Sequence, residues 1–452
     1  MRRLFGTDGV RGIANDFLTC ELAMEIGRAT ATVLAGQKRY KSKVLVGYDT
    51  RISSEMLASA LAAGLCSVGA DAVMLGVVST PAVAHLVMKY GASAGVMISA
   101  SHNSFEYNGI KIFGGDGFKL PDELEEQIES IVLDKTPPPI SAESAKVGRI
   151  TTEENACRDY IEHLRVSTPS RFDGLQVAFD CSNGSASKTA ERFFSSLGAD
   201  CHMLSDNPDG INVNDKCGST HLEQLSAYVK KNKLMGGAAF DGDADRCLMV
   251  DENGDEIDGD MIMAMLALDM KERGKLKKNT VVGTIMTNYG FPKFCEENGL
   301  SYIAAKVGDR YVLETLNLED LSFGGEQSGH LILREYATTG DGQLTAAHVL
   351  ALMAKTGKPL SELRRAMRRY PQHTVNLRVT PEAKIAFYTD HEVKAIVAEA
   401  EKAIAGDGRL VIRPSGTEPL VRVMIEGSDE AKVKKLTEEV AAAIAEKLAV
   451  YK

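Results

Sequence analysis

Apolar and polar positions along this chain switch between two periods, and the switch recurs three times. Lys43-Val44-Leu45-Val46-Gly47-Tyr48-Asp49 is a short, nearly unbroken apolar run that predicts a buried strand. Helical spacing follows over 56–68, Gly69-Ala70-Asp71 closes it, and Ala72-Val73-Met74-Leu75 opens another strand. The pattern returns at Gln176-Val177-Ala178-Phe179-Asp180, with a helix ending at Leu197-Gly198-Ala199-Asp200 before Cys201-His202-Met203-Leu204. It returns again at Thr280-Val281-Val282-Gly283-Thr284-Ile285, with a helix to Asn298-Gly299 and then Tyr302-Ile303-Ala304. Glycine after each helix is the left-handed terminator that such helices use. Strand–helix–strand units of this length imply largely parallel sheets covered by helices.

From about His373 the character changes. Residues 374–379 alternate like a strand, 391–404 read as a helix, 409–412 and 421–425 as strands, and 429–448 as an amphipathic helix with a stripe of Val433, Leu436, Val440, Ile444 and Leu448. The expected fold is therefore α/β: three repeated α/β domains with mixed, largely parallel sheets, plus a smaller C-terminal α+β domain, around a central cleft. Thr136-Pro137-Pro138-Pro139, the polar turn 251–255 and the segment 364–371 read as linkers. They divide the chain into 1–150, 151–253, 254–370 and 371–452.

Each copy adds a third strand that empties into an unusual polar loop. In the first the loop is Ser99-Ala100-Ser101-His102-Asn103, after Gly95-Val96-Met97-Ile98. In the second it is Asp241-Gly242-Asp243-Ala244-Asp245-Arg246, and in the third Gly325-Glu326-Gln327-Ser328-Gly329-His330. Equivalent loops of repeated domains meet if the domains face one another, and open α/β sheets bind ligands at such strand ends. Three carboxylates at alternate positions suit Mg²⁺ or Ca²⁺. An EF-hand is excluded, because Arg246 stands where the sharp-turning glycine belongs and the flanks are short apolar runs. Ser101 lacks the Gly-x-Ser-x-Gly setting of a hydrolase elbow. It is either a turn residue or a phosphoryl carrier, whose charge a cation in the aspartate loop offsets.

Other loops bear on that choice. Arg11, within Phe5-Gly6-Thr7-Asp8-Gly9-Val10-Arg11-Gly12, and Lys111, on the strand-like stretch 108–113, are cations suited to an oxyanion. Lys111 could also assist proton transfer. Arg413-Pro414-Ser415-Gly416-Thr417-Glu418-Pro419 offers a guanidinium, two hydroxyls and a flexible backbone between two strands, with Arg422 close by: a nest for a phosphate. The Glu326–His330 mixture suits sugar hydroxyls. Gly184-Ser185-Ala186-Ser187-Lys188-Thr189 lacks the glycine before lysine that a Walker A loop needs, so it is structural.

The chain's 452 residues, 44% of them hydrophobic, are enough for several cores. A formal net charge of −10 without a basic stripe argues against nucleic acid as a partner. Apolar stretches are interrupted by Asp71, Pro81, His85, Asp258, Asp260 and Asp269, so no membrane span is expected. The eight cysteines are scattered without a CxxC, as in a reducing cytoplasm.

Together these loops resemble, in order and over essentially the whole chain, those of the α-D-phosphohexomutase superfamily. Val307-Gly308-Asp309-Arg310, Gln327 and the Phe5–Gly12 opening are most similar to bacterial members acting on glucosamine phosphates; phosphomannomutase relatives often carry His where this chain has Asp309. The resemblance implies an isomerase interconverting glucosamine 6-phosphate and glucosamine 1-phosphate through a phosphoserine enzyme and a glucosamine 1,6-bisphosphate intermediate. It supplies UDP-N-acetylglucosamine for the cell wall. By this resemblance Ser101 carries the phosphoryl group, and Asp241, Asp243, Asp245 and the phosphoserine hold Mg²⁺. Arg246, Lys111, Arg11 and His102 flank the transferring group. Glu326, Ser328 and His330 face the sugar, and Arg413, Ser415, Gly416, Thr417 and Arg422 take the other phosphate. A cytoplasmic homodimer is also implied. The alternatives are a phosphomannomutase or phosphoglucomutase, and a non-catalytic phosphosugar-binding regulator. One departure stands out: Ser104 occupies a position where the family's loop carries proline, which leaves the loop without a φ restraint.

Overall fold

The computed structural model describes residues 3–6, 8–35, 42–414 and 419–451. A first sheet is built from β1 (Val10–Ile13), β2 (Lys43–Tyr48), β3 (Asp71–Val77), β4 (Ala94–Ile98), β5 (Tyr107–Gly114) and β6 (Ile150–Thr152), in the order β1-β5-β4-β2-β3-β6. β2 is parallel to β3 and β4, and β6 to β3; β5 is antiparallel to β4 and β1. Its apolar face, including Val44, Val46, Val96 and Ile98, packs on Leu57 and Leu61 of the helix Ser54–Ser67. The strands joined by helices are parallel because the crossover returns the chain in the same direction.

The second sheet repeats the plan with β7 (Gln176–Asp180), β8 (Asp200–Leu204), β9 (Gly236–Phe240), β10 (Cys247–Asp251) and β11 (Glu256–Ile257). β7 is parallel to β8 and β9, and β10 is antiparallel to β9 and β11. The third copy holds β12 (Thr280–Thr284), β13 (Ser301–Ala305), β14 (Phe323–Gly325) and β15 (Leu331–Leu333), with β14 parallel to β12 and antiparallel to β15. In every copy the polar loop is thus the turn between the third parallel strand and an antiparallel neighbour. Gly69, Gly198 and Gly299 all have the positive φ expected after their helices (95°, 97° and 61°). Asp49 and Asp180 stand at the C-terminal tips of β2 and β7 and play the same local part. Each carboxylate accepts the backbone N–H two residues on, from Arg51 at 3.2 Å and Ser182 at 2.9 Å.

Two connections do more than link. Past the proline run, β6 returns to the first sheet, and the turn at 251–255 joins β10 to β11. The last sheet is antiparallel, with β16 (Gln372–Arg378), β17 (Gly408–Pro414) and β18 (Leu420–Gly427) in the order β16-β18-β17. Its helices are Pro381–Thr389, His391–Ile404 and Glu430–Leu448. The first of these is absent from the sequence-based expectation. Thr380 caps it, accepting the Ala383 N–H, and Pro381 occupies its first turn.

The chain divides into two compact units, residues 1–285 with 303–366, and residues 286–302 with 367–452. Within the second, Asn288 ties its two segments together. Its amide donates to the Tyr370 carbonyl (3.0 Å) and to Glu426 (3.1 Å), and its Oδ1 accepts the Tyr370 N–H (3.0 Å). Among the described residues no helix is long and apolar enough to cross a membrane. All eight cysteines are free thiols.

Candidate active site

Ser101 follows a strand whose side chains are all buried, so the chain must turn sharply as it leaves the sheet. Ser101 does so in the left-handed region, with φ 54°. That conformation costs a non-glycine residue roughly 1 kcal/mol or more and persists only where surroundings over-determine it. Here they do. The Ser101 N–H donates to Ser99 Oγ (2.9 Å), and the Ser101 carbonyl accepts from Arg51 Nη2 and Asn214 Nδ2, both at 2.9 Å. The result aims the Ser101 hydroxyl at Asp241, to which it donates at 2.6 Å. His102 Nδ1 lies 3.4 Å from the same oxygen. Burial, with Arg246 and Arg11 nearby, pushes the His102 imidazole down to about 4.

The loop between β9 and β10 brings Asp241, Asp243 and Asp245 together, with one oxygen of each inside a 4.8 Å span. It can lie against the serine loop because position 242 has no side chain: a Cβ there falls 2.6 Å from the Ser101 carbonyl oxygen. Asp243 accepts from Thr80 Oγ1 (2.6 Å) and Lys111 Nζ (2.8 Å), and Lys111 also reaches Asp245 at 3.3 Å. Burial, then Asp245 and Asp243, drives the Asp241 carboxyl well above the usual range. Asp243 Oδ1 and Asp245 Oδ1 are buried and accept no hydrogen bond within the protein. Clustered hard oxygens with unfilled acceptor capacity fit a divalent cation such as Mg²⁺.

Around this cluster positive and negative groups alternate in a closed ring. Lys111 contacts Asp8 at 3.1 Å, Asp8 contacts Lys119 at 2.6 Å, and Lys119 contacts Asp309 at 2.5 Å. His330 lies 3.6 Å from Asp309 and 3.7 Å from Asp245, which returns to Lys111. Arg11 pairs with Asp8 as well. Burial works against each charge, but the neighbours win. Lys111 is held well above its ordinary value by Asp243, Asp8 and Asp245. Asp8 is held well below its own by Lys111, Lys119 and Arg11. His330 is raised by Asp245 and Asp309 against the same burial. Lys111 is therefore an ionised donor.

The third loop joins the same neighbourhood. Cys247 N–H donates to the Gly329 carbonyl, and Gly342 N–H to the Ala244 carbonyl, each at 3.0 Å. Glu326 is half-buried and accepts the Gly308 N–H (3.0 Å); Ser328 is half-buried beside it. The structure thus brings together Ser101, His102, Lys111, Arg246, Arg11, His330 and the three aspartates, with Glu326 and Ser328 on the adjoining turn. In the second unit, Arg413 and Arg422 face each other as register partners on β17 and β18. Burial, and then Arg422, lowers the Arg413 guanidinium from its ordinary value. Ser415, Gly416 and Thr417 lie outside the described residues.

Sequence reasoning overlooked Thr80, Lys119, Asn214 and the pair Asp49–Arg51 as members of this assembly, and named Asp8 and Asp309 only as parts of motifs, with no role. Asp8 sat inside a motif already singled out. Arg51, three residues beyond a buried strand, was the most legible of the others, since a charge at such a position needs a partner. Lys119 and Asn214 have no local signal.

Comparison with known proteins agrees with this geometry. Family models described as phosphoglucomutase/phosphomannomutase α/β/α domains I, II and III match residues 2–138, 158–254 and 258–370, and that family's C-terminal domain matches 375–443. A phosphoglucosamine mutase of Caldicellulosiruptor saccharolyticus is 50% identical over 450 residues, covering 99% of this chain and 100% of that one. Another, from Ruminiclostridium cellulolyticum, is 49% identical, covering 97% and 98%. The fold is shared with a phosphoglucomutase/phosphomannomutase family protein from Burkholderia thailandensis (TM-score 0.83, 23% identity, 98% of each chain). It is also shared with an Aspergillus fumigatus N-acetylphosphoglucosamine mutase solved with GlcNAc-6P and magnesium (TM-score 0.69, 16% identity, 99% and 96%).

Proposed function

Since the chain belongs to the phosphoglucomutase/phosphomannomutase family, we propose that it is a phosphosugar mutase interconverting glucosamine 6-phosphate and glucosamine 1-phosphate, with Ser101 as its phosphoryl carrier. The observation that carries this reading is the 2.6 Å contact of Ser101 Oγ with a buried triad of aspartates. A turn residue needs no such setting, and a binding module needs no activated hydroxyl. The relatives at about half identity favour glucosamine over mannose or glucose.

In the first half-reaction the bond from phosphorus to Ser101 Oγ breaks and a bond to a sugar hydroxyl oxygen forms, the hydroxyl's proton ending on the serine; in the second the phosphorus–oxygen bond at the other end of the sugar breaks, Ser101 Oγ takes that phosphoryl group, and the serine's proton passes to the freed sugar oxygen. Passed one way, this converts a monophosphate into glucosamine 1,6-bisphosphate; passed the other way from the opposite end, it yields the isomer. Asp241, Asp243 and Asp245, with an oxygen of phosphorylated Ser101, are the residues that would hold Mg²⁺, which draws charge from the phosphoryl group when bound. Lys111 and Arg246 neutralise the same group from the protein side, and Arg11 and His102 line it. Glu326, Ser328 and His330 orient the sugar. We assign Arg413 and Arg422, with Ser415, Gly416 and Thr417, to the phosphate that stays in place. The cross-strand guanidinium pair supports this, since two cations side by side favour an anion between them. Free thiols throughout suit a reducing cytoplasm. A homodimer is the accompanying expectation, read by light scattering.

The test is a coupled assay on glucosamine 6-phosphate beside mannose and glucose 6-phosphates, with intact-mass measurement of the enzyme. Wild type is expected to carry one phosphate and to prefer glucosamine. Ser101→Ala is expected to lack the adduct and to lose at least ~10³-fold in kcat. Full activity in that variant refutes the carrier.

A further inference from the structure

Arg51 is almost fully buried, yet it lies outside every loop that carries the chemistry. Its guanidinium collects the carbonyls of the serine loop. Nη2 donates to Ser101 (2.9 Å) and Asn103 (2.8 Å), and Nη1 to Tyr107 (2.9 Å) and to Ser104. Its Nε donates to Asp49 Oδ2 at 2.8 Å. The same Asp49 oxygen accepts Ser99 Oγ–H (2.6 Å), and Ser99 Oγ in turn accepts the Ser101 N–H (2.9 Å). Asp49 Oδ1 accepts from Ser54 Oγ (2.7 Å) and from the Arg51 N–H.

Both peptide groups flanking the Ser101 α-carbon therefore trace back to one ion pair. The preceding amide is held through Ser99 by Asp49, and the following carbonyl directly by Arg51. Fixing those two groups fixes φ and ψ, and so the direction of the Cα–Cβ bond that carries Oγ to Asp241. Asn214 adds a second donor to the same carbonyls, 2.9 Å from Ser101 and 2.9 Å from Asn103. The guanidinium also reaches the Ser104 carbonyl, so this loop, which lacks a proline at 104, is restrained through its carbonyls.

We propose that the buried Asp49–Arg51 pair is the positioning device of the phosphoryl carrier, holding Ser101 in its left-handed conformation so that Oγ stays aligned with the aspartate cluster in both directions of transfer. This rests on Ser101 being the carrier. That premise is read independently, from the phosphate adduct on the wild-type enzyme.

Arg51→Lys keeps the charge and loses the fork that spans several carbonyls. In the full-length enzyme it is expected to fold, with a melting temperature a few degrees lower. Its kcat is expected to fall ~10²-fold with KM within about threefold, because a misplacement of about 1 Å is felt in the transferring step. The phosphoserine ³¹P resonance is expected to shift or broaden, a change that a merely structural residue would not produce. Ser99→Ala cuts the link from Asp49 to the Ser101 N–H, and is expected to lower kcat ~10-fold with the same unchanged KM. It carries the test if Arg51→Lys does not fold. A folded Arg51→Lys with kcat within threefold of wild type, a loss confined to KM, or an unaltered ³¹P signal overturns the proposal. So does a Ser99→Ala enzyme with wild-type kcat.

Discussion

At the scale of single residues the site is a problem of charge balance, and Lys111 is its pivot. Its buried ammonium faces Asp8, Asp243 and Asp245 at once. Lys111→Met strips those carboxylates of a shared partner, and breaking a buried pair in this way costs about 3–5 kcal/mol. A divalent cation in the aspartate cluster replaces part of the lost charge. The variant should thus be strongly destabilised in EDTA and substantially recovered in millimolar Mg²⁺, as read by thermal unfolding. An equal deficit in both media contradicts the balance described. Much of this scale was legible beforehand, because Ser101, Lys111 and three alternate aspartates announce themselves by type and spacing. Lys119 did not, and Asp8 and Asp309 stood out only as parts of motifs. Their meaning comes from a ring closed between segments some 110 and 190 residues apart, and no local window contains it.

At the scale of elements, burial decides behaviour. The helix Gly342–Thr356 is buried along its first twelve residues, and His348 within it binds the Ser167 carbonyl at 3.0 Å. Burial, then Arg273, brings this imidazole from its ordinary 6.5 down to about 4. Below about pH 6.5 the unfolded chain takes up a proton that the folded chain refuses. The contribution of His348 is thus complete above 6.5 and lost as the pH falls toward 4. The wild type should lose roughly 3 kcal/mol relative to His348→Gln between pH 7 and pH 4, measured by denaturant unfolding at each pH. A constant difference argues that the histidine is already charged when folded. The elements were largely readable, since β7 and the helix His391–Ile404 fall on the predicted residues. Helix Pro381–Thr389 escaped because its apolar positions make no clear stripe; only Thr380-Pro381 marked its start. The antiparallel partner in each copy was hidden for another reason. A turn does not reveal in which direction its second strand will pair.

At the scale of the whole molecule, the chain's two compact units should unfold as separate cooperative events, as expected for a protein of more than one core. Asn288 belongs to the second, where it holds Tyr370 and Glu426. Asn288→Ala should lower that unit's stability by about 2–3 kcal/mol and leave the other transition in place. Calorimetry separates the outcomes: one shifted peak of two supports the division, and a joint shift refutes it. The α/β class and the threefold repeat were visible in the sequence because periodicity is local. That residues 286–302 join a unit resuming at residue 367 was not, because the join is made by contacts of Asn288, Tyr289 and Lys293 with residues far along the chain.

The matched carboxylates Asp49 and Asp180 make one local device twice over. Both cap the tip of the first strand of their copy and both hold the amide two residues on. In the second copy Ser182 occupies the place of Arg51, and the same carboxylate also takes the Gly218 N–H, at 3.0 Å. In the first copy the acid holds a guanidinium as well as an amide. An acid at this strand tip is therefore a staple for turns in its own right, and the guanidinium is the part that extends its grip to a neighbouring loop.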